Sequence, residues 1–210
     1  MLQFTEAEKS YGSKKVLEIA SLEMPWGMYW LQGPNGSGKT TLLRMLAGIL
    51  PSRGYIRLQG LSLKDHPVAY RRLIGWAEAE PLYPDFLTGA DLLAFYSDII
   101  QPPVGQVDDL IARLGVASWL DSKAASWSAG MSKKISLLLA FIGRPALIML
   151  DEPLVTLDQP GIAALCDLID ERRSTQESTG FILSSHQPLS HAVFQGIQIV
   201  KISDGLISLI

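Results

Sequence analysis

The sequence has little of three features that mark common classes of protein. A single cysteine, Cys166, leaves no partner for an internal disulfide and too few thiols for a cysteine metal cluster. Basic residues do not outnumber acidic ones, and the formal net charge of -3 argues against nonspecific nucleic-acid binding. No apolar run reaches the roughly 18 to 20 residues of a transmembrane helix. Disulfide-stabilised, general nucleic-acid-binding and membrane-spanning proteins are therefore disfavoured.

A secretory signal is also missing from the N-terminal segment MLQFTEAEKS, which has no basic region followed by an apolar run, so we expect a cytoplasmic chain. The 210 residues are enough for one sizeable domain with a subdomain. Apolar residues make up 48% of the chain and charged residues 19%. This apolar surplus requires either a tight core or an apolar interface with a partner, and composition leaves both open.

Strand and helix signals alternate along the chain. Apolar runs and turn residues predict antiparallel strands within 1–32, and later signals predict a helix at 40–50, strands at 55–58, 73–76, 146–150 and 181–184, a helix at 162–173 and a hairpin at 197–210. Between these, residues 81–143 show helical patterning. We therefore predict an α/β fold with a core of residues 1–80 and 144–210, an N-terminal antiparallel β subdomain, and an inserted helical subdomain at 81–143.

A glycine-rich segment, GPNGSGKT at 33–40, fits the pattern G-x-x-x-x-G-K-[ST] between an apolar strand and a helix. Backbone N–H groups of such a loop and of the helix N-terminus converge on one point and bind anions. Gly36 and Gly38 allow the backbone to approach phosphate oxygens closely. Lys39 can reach β- and γ-phosphates, and the Thr40 hydroxyl can ligate Mg²⁺. The segment predicts a nucleoside triphosphate site.

Two carboxylates follow the apolar segment ALIML at 146–150. A buried strand here would deliver Asp151 and Glu152 to its carboxyl end, where open α/β sheets bind ligands. Asp151 suits the coordination shell of Mg²⁺, and Glu152 can orient and deprotonate an attacking water. The alternative is a pair of carboxylates that cap the start of a helix.

A second glycine turn, WSAGMSKK at 127–134, precedes a helical segment. Taken alone, it predicts a helix N-terminus with Ser128 as N-cap and lysines outside the core. The segment also lies about 20 residues before Asp151 and Glu152. This position suggests a second interpretation, which depends on the motifs taken together.

The motifs together resemble those of the nucleotide-binding subunit of ABC transporters over essentially the whole chain. Residues 33–40 match Walker A and 147–153 match Walker B with its catalytic glutamate. WSAGM at 127–131 is similar to the signature motif LSGGQ, and LVTLD at 154–158 to the D-loop. SSH, at 184–186, follows a strand as the family's switch histidine does. SYG places Tyr11 where the family has an aromatic that stacks on adenine, although an ordinary turn aromatic is the alternative.

The resemblance implies a P-loop NTPase core of the ABC ATPase type and a mechanism in which two subunits, identical or homologous, close head to tail on two ATP molecules. Glu152, His186 and Lys39 would act in catalysis, and Thr40 and Asp151 would hold Mg²⁺. Ser128 and Gly130 would face the γ-phosphate bound by the other subunit. The residues implied in nucleotide binding are Tyr11, Gly33, Pro34, Asn35, Gly36, Ser37, Gly38, Lys39, Thr40, Thr41, Ser128, Gly130 and Asp158.

The chain departs from the family pattern at two positions. Ala129 replaces the first signature glycine, which is a mild change because the γ-phosphate contacts are implied for its neighbours. Ala79, within IGWAEAEPLY, occupies the place of a glutamine that ligates Mg²⁺ in the family. Glu78 and Glu80 flank it and would share one face of an extended chain. Either they are solvated residues and water completes the Mg²⁺ shell, or one of them replaces the glutamine as an oxygen ligand.

The resemblance therefore implies the ATP-hydrolysing subunit of a membrane exporter, held at the inner face of the membrane by a separate transmembrane permease. Its short length and SSHQPL segment are similar to the haem-exporter ATPase of cytochrome c maturation, and short ABC-2-type exporter subunits fit equally. Apolar residues after the hinge lie where the family contacts the permease: Pro81, Leu82, Tyr83, Phe86 and Leu87. The alternatives are a soluble ABC ATPase and a weakly hydrolytic regulatory cassette; Ala79 motivates the second, and Glu152 and His186 oppose it.

Overall fold

A computed structural model describes residues 1–174, 179–186, 189, 192–203 and 205–209. Its strands are β1 Leu2–Tyr11, β2 Lys14–Met24, β3 Met28–Gln32, β4 Arg53–Leu58, β5 Leu61–Ser62, β6 Ile74–Ala77, β7 Leu147–Asp151, β8 Gly180–Ser184, β9 Gln198–Ser203 and β10 Leu206–Leu209. Its helices are α1 Lys39–Leu46, α2 Pro67–Arg72, α3 Gly89–Ile100, α4 Gln106–Leu114, α5 Ala129–Phe141 and α6 Gln159–Ser174, with 3₁₀ turns at Ala117–Trp119, Ala124–Ser126 and Ala192–Phe194. Residues 204 and 210 of the predicted hairpin lie outside the described residues.

All described strands belong to one sheet, in the order β5-β4-β1-β2-β10-β9-β3-β8-β7-β6. The half from β9 to β6 is parallel, whereas β1 pairs antiparallel with both β2 and β4. A single parallel bridge between β10 and β2 joins the halves. The predicted N-terminal antiparallel region is thus confined to β1 and β2, because β3 lies in the middle of the parallel half and carries the glycine-rich loop at its end.

The strand that delivers the two carboxylates is covered on both faces. Every residue of β7 is buried, as the unbroken apolar run predicts. Ile148 and Leu150 belong to the hydrophobic core beneath α3, α4, α5 and α6, whereas Leu147 and Met149 belong to the core that contains α1. A strand fixed on both faces has little freedom, so the residues that follow it are held in place.

The predicted helical insert contains α3, α4 and α5, and α5 packs directly on β6. Thr88 and Asp91 form a capping box that starts α3. Arg172 of α6 donates to the carbonyls of Phe141 and Gly143 at 2.7 and 3.0 Å, which fixes the end of α5 against the core. Among the described helices, none combines the length and apolar character that a bilayer span needs.

The apolar residues after β6 differ in exposure, and Tyr83 is partly covered. Its ring packs edge-to-face against Trp127 at 5.7 Å between centroids, and burial raises the pKa of its hydroxyl. Leu87 is likewise packed against the core. Leu82 and Phe86 are 92% and 71% exposed, so the accessible apolar surface consists of these two side chains instead.

The close packing of α5 on β6 predicts that Gly75→Ala is destabilising. A Cβ at Gly75 would overlap the carbonyl oxygen of Ala140, a backbone atom that cannot move alone. We expect the free energy of unfolding to fall by about 2 to 3 kcal/mol, measured by urea denaturation. Gly27→Ala is the matched control, because its nearest neighbour would be the Gln198 side chain at 3.4 Å. Equal stability of the two variants would contradict the prediction.

Candidate functional site

The glycine-rich loop joins β3 to α1 and forms an open anion site. Gly36 and Gly38 have φ of 75° and 108°, values that favour glycine. A Cβ at Gly33 would come within 2.5 Å of the Ile202 carbonyl, so the loop needs glycine there for close approach. No side chain caps the N-terminus of α1. Its first N–H groups are therefore available to a bound anion.

Lys39 lies at the base of this loop and is 7% exposed. Its ammonium donates to the carbonyls of Gly33 and Pro34 at 2.7 and 3.1 Å. Burial lowers the pKa of Lys39, and the charges of Glu152 and Asp151 oppose that shift. The loop therefore holds a desolvated cation through two carbonyl contacts that a stronger anionic acceptor can displace.

Thr40 and Asp151 meet at the bottom of the site. The Thr40 hydroxyl donates to Asp151 Oδ2 at 2.9 Å, and the other carboxylate oxygen accepts a short hydrogen bond from Ser184. Hydroxyl and carboxylate oxygens are the ligands that Mg²⁺ prefers. The two side chains predicted to hold the metal are thus in contact, and a buried serine orients the carboxylate; their role as metal ligands stays a prediction.

Glu152 sits one residue beyond β7 in a left-handed backbone conformation, with φ of 46°. Its N–H group donates to the carbonyl and the hydroxyl of Ser184 at 3.1 and 3.2 Å. Its carboxylate oxygen Oε1 lies 3.4 Å from His186 Nε2. Burial raises the pKa of Glu152, an effect that the nearby His186 opposes. A desolvated carboxylate beside a histidine is suited to accept a proton from water.

The signature segment begins α5. Ser128 is an exposed N-cap whose hydroxyl accepts from the Met131 N–H group at 3.2 Å, as its simplest interpretation predicted. A Cβ at Gly130 would lie 2.8 Å from the Thr156 carbonyl, so glycine is required where this turn meets the segment after β7.

Asp158 closes the same cluster at the start of α6. Its carboxylate accepts from the Gly161 N–H group at 3.1 Å and pairs with Lys134 at 3.0 Å. A hydrogen bond from Lys134 lowers the pKa of Asp158. The structure therefore ties Asp158 to α5, the helix that the signature segment starts.

The predicted residues thus fall into groups. Lys39, Thr40, Asp151, Glu152 and His186 form one cluster around the glycine-rich loop, and Ser128, Gly130 and Asp158 form another at the start of α5. Tyr11, at the end of β1, is 49% exposed with the Lys9 ammonium 5.1 Å from its ring centroid. Its open face suits stacking, and the contact with Lys9 gives it a local role as well.

The hinge after β6 gives Glu78 a partner of its own. Trp76 Nε1 donates to the Glu78 carboxylate at 3.2 Å, and Glu80 is exposed. The Glu78 N–H group donates to the Ser136 hydroxyl at 3.2 Å. Replacement of the family's glutamine by Glu80 or Glu78 stays a prediction; the Glu78 carboxylate already accepts a hydrogen bond from Trp76, two residues earlier.

Lys133 contradicts the interpretation of the lysines after the signature as residues outside the core. It is 0% exposed, and its ammonium donates to the carbonyls of Glu78 and Asp151, each at 2.7 Å. Burial lowers the pKa of Lys133 to about 8. Sequence reasoning missed Lys133 and Ser184. For Ser184, a polar residue ending an apolar strand was an available signal; for Lys133 there was none, since its carbonyl partners are set by tertiary structure.

A family model described as ABC transporter matches residues 17–155. An uncharacterised ABC transporter ATP-binding protein of Bacillus subtilis, YdbJ, is 29% identical over 89% of this chain, which spans 61% of that relative. The cytochrome c biogenesis ATP-binding export protein CcmA of Pseudomonas syringae is 33% identical, over 78% of this chain and 79% of its own length. A solved structure of an ATP-binding subunit of an ABC transporter superposes with a TM-score of 0.86 at 26% identity, covering 98% of this chain and 87% of the other.

Proposed function

Because the chain belongs to the ABC transporter family, we propose that it is the ATP-binding and ATP-hydrolysing subunit of a membrane exporter. The observation that carries this proposal is the arrangement around Walker A: Asp151 contacts Thr40 at 2.9 Å, and the next residue, Glu152, lies 3.4 Å from His186. A phosphate-binding loop, a metal-binding pair and a base are thereby adjacent. The family expectation formed from the motifs is confirmed.

ATP would bind with its β- and γ-phosphates at the N-terminus of α1. The ammonium of Lys39 would exchange the Gly33 and Pro34 carbonyls for phosphate oxygens, and Tyr11 would stack on the adenine. Thr40 and Asp151 would hold Mg²⁺, since their hard oxygens fit this ion. When bound, Mg²⁺ neutralises charge on the β- and γ-phosphates. Ser184 orients Asp151 for this contact through its short hydrogen bond.

Hydrolysis is then a water attack directed by Glu152. The carboxylate takes a proton from water as the oxygen bonds to the γ-phosphorus, and the bond to the oxygen bridging to ADP breaks. Burial raises the pKa of Glu152 toward neutral pH, which makes its carboxylate a stronger base and favours proton transfer from water. His186 would hold the water and contact the γ-phosphate. Lys39 would stabilise the leaving ADP oxygen and the transferred group.

We propose further that two cassettes close head to tail. Ser128 is exposed at a helix N-terminus, where its hydroxyl and neighbouring N–H groups suit a phosphate. In a dimer, Ser128 and Gly130 would meet the γ-phosphate bound to the partner's Walker A loop. Asp158 would lie at the same interface. The division into a nucleotide-binding core and a helical subdomain at 81–143 belongs to this proposal.

The transmembrane subunit would bind at a cleft between the core and the helical insert. The cleft has a volume of about 200 Å³. Its lining combines apolar and aromatic side chains with three arginines, among them Ile49, Trp76, Tyr96, Ile100, Arg71, Arg72 and Arg144. Ile49 is 53% exposed, and the exposed Leu82 and Phe86 follow β6, which contributes Trp76 to the cleft. Exposed apolar side chains beside arginines suit a cytoplasmic segment of a permease that presents apolar and acidic residues. The chain would then sit at the inner face of the membrane.

The exposed pair after β6 provides a test of this partnership. Replacing Leu82 and Phe86 by serine removes apolar contact area, so we expect co-purification with the transmembrane subunit to fall at least tenfold. ATP binding should remain unchanged. Leu206→Ser, at a residue 60% exposed on β10, is the matched control. Undiminished co-purification of the double variant would overturn the assignment of this surface.

A further inference from the structure

Lys133 is a fully buried lysine whose visible partners are carbonyl groups. Its ammonium donates to Glu78 O and Asp151 O at 2.7 Å each, and Ala79 O lies at 3.5 Å. These carbonyls come from separate parts of the fold: Glu78 and Ala79 form the hinge after β6, and Asp151 ends β7. One side chain of α5 therefore binds the hinge and the Walker B strand at once.

Ser136, about one turn later on the same helix, completes this connection. Its hydroxyl accepts from the Glu78 N–H group at 3.2 Å. Glu78 is thus held at its N–H group by Ser136 and at its carbonyl by Lys133. Since α5 starts at the signature turn, a displacement of that turn would be carried through Lys133 to the end of β7.

Two effects on stability oppose each other at this position. Burying an ammonium costs desolvation energy, whereas its hydrogen bonds satisfy carbonyl groups that would otherwise lose this donor. Met has nearly the volume of Lys and adapts its shape to irregular sites. A buried cation that joins two separate parts of the site therefore points to a role in geometry.

We propose that Lys133 is a positioning residue for ATP hydrolysis, which fixes the Asp151 carbonyl and the hinge so that Glu152 keeps its place beside the γ-phosphate. The inference rests on the proposed function. Glu152 is held by Ser184 at its N–H group and has a left-handed backbone. The same peptide group carries the Asp151 carbonyl at its other side, where Lys133 donates to it at 2.7 Å.

Removing the ammonium should therefore affect turnover more than binding. In the purified full-length chain we expect Lys133→Met to lower kcat at least tenfold, with KM for ATP within twofold. Lys133→Gln, whose amide can donate two hydrogen bonds, should recover at least threefold of the lost kcat. Lys64→Met, at an exposed lysine, is the control for the change in charge.

Hydrogen exchange measures the positioning itself, without any need for hydrolysis. We expect peptides covering 77–81 and 151–154 to exchange at least tenfold faster in Lys133→Met than in the wild type, with β1 and β2 unchanged. If the wild-type chain hydrolyses no ATP, the proposed function fails, and these exchange rates still decide whether Lys133 holds the site.

Several results would overturn the proposal. One is a kcat of Lys133→Met within twofold of the wild type, and another is unchanged exchange at both segments. A fall in melting temperature with kcat and KM changing together would show that the role of Lys133 is only structural. No recovery of kcat in Lys133→Gln would show that hydrogen bonding by this side chain is irrelevant.

Discussion

Replacing Glu152 by glutamine is expected to lower kcat for ATP hydrolysis at least ~100-fold while ATP affinity stays within about twofold. Removing a positioned general base typically costs a factor of about 10² to 10⁴. The amide keeps the size of the side chain and can still contact His186, which lies 3.4 Å from Glu152 Oε1. Phosphate release measures the loss in turnover, and equilibrium binding of ATP measures the retained affinity.

A slowed hydrolytic step should also reveal the proposed dimer. With ATP and Mg²⁺ present, the Glu152→Gln variant should elute as a dimer in size-exclusion chromatography. The closed dimer would persist because its bound ATP is no longer hydrolysed. Glu23→Gln is the matched control, since Glu23 is exposed on β2 and pairs with Gln3 rather than with the site. Retention of more than about a tenth of wild-type turnover would mean that another group acts as the base.

Local sequence patterns carried the prediction of most of the parallel core. The run ALIML predicted a strand buried on both faces, and β7 is buried throughout. The short elements β5 and α2 were missed. Two residues of β5 give no periodicity, and α2 has only six residues, with Pro67 at its first turn. Proline occurs at the first turn of helices as well as in loops, so Pro67 did not distinguish a helix from a loop.

Side-chain placement was harder to predict than the backbone. A lysine after a helix start is normally solvated, and only the meeting of the hinge with the end of β7 supplies the carbonyls that Lys133 binds. Tyr83 similarly follows a polar hinge, yet it is covered because Trp127 approaches it from the other end of the helical insert. In both residues the deciding partner is distant in sequence, so no local pattern contains it.

The motif residues of the nucleotide site were predictable because their neighbours along the chain do the positioning. Gly36 and Gly38 adopt positive φ as a loop of this kind requires, and Asp151 and Glu152 follow directly from β7. The hydroxyl of Ser184 was visible in the SSH motif without an assigned role. Its contacts with both carboxylate-bearing residues depend on the parallel pairing of β8 with β7.

Replacing Lys39 by methionine is expected to weaken ATP binding about 100-fold. Charged hydrogen bonds contribute ~1.5 to 3 kcal/mol each, and a tenfold change in Kd corresponds to ~1.4 kcal/mol. Among the described residues, the Lys39 ammonium donates hydrogen bonds only to the Gly33 and Pro34 carbonyls. The free energy of unfolding should therefore change little until ATP is added.

Ligand-dependent stability separates these two effects. ATP at 100 times the wild-type Kd should stabilise the wild type by ~2.7 kcal/mol, whereas a Kd 100-fold weaker leaves only ~0.4 kcal/mol. Chemical denaturation with and without ATP and Mg²⁺ gives both values for each protein. Lys64→Met controls for the change in charge and should keep the full ATP effect. If Lys39→Met kept it as well, the ammonium would not be a phosphate ligand, and ATP binding would rest on the backbone N–H groups of the loop and α1 alone.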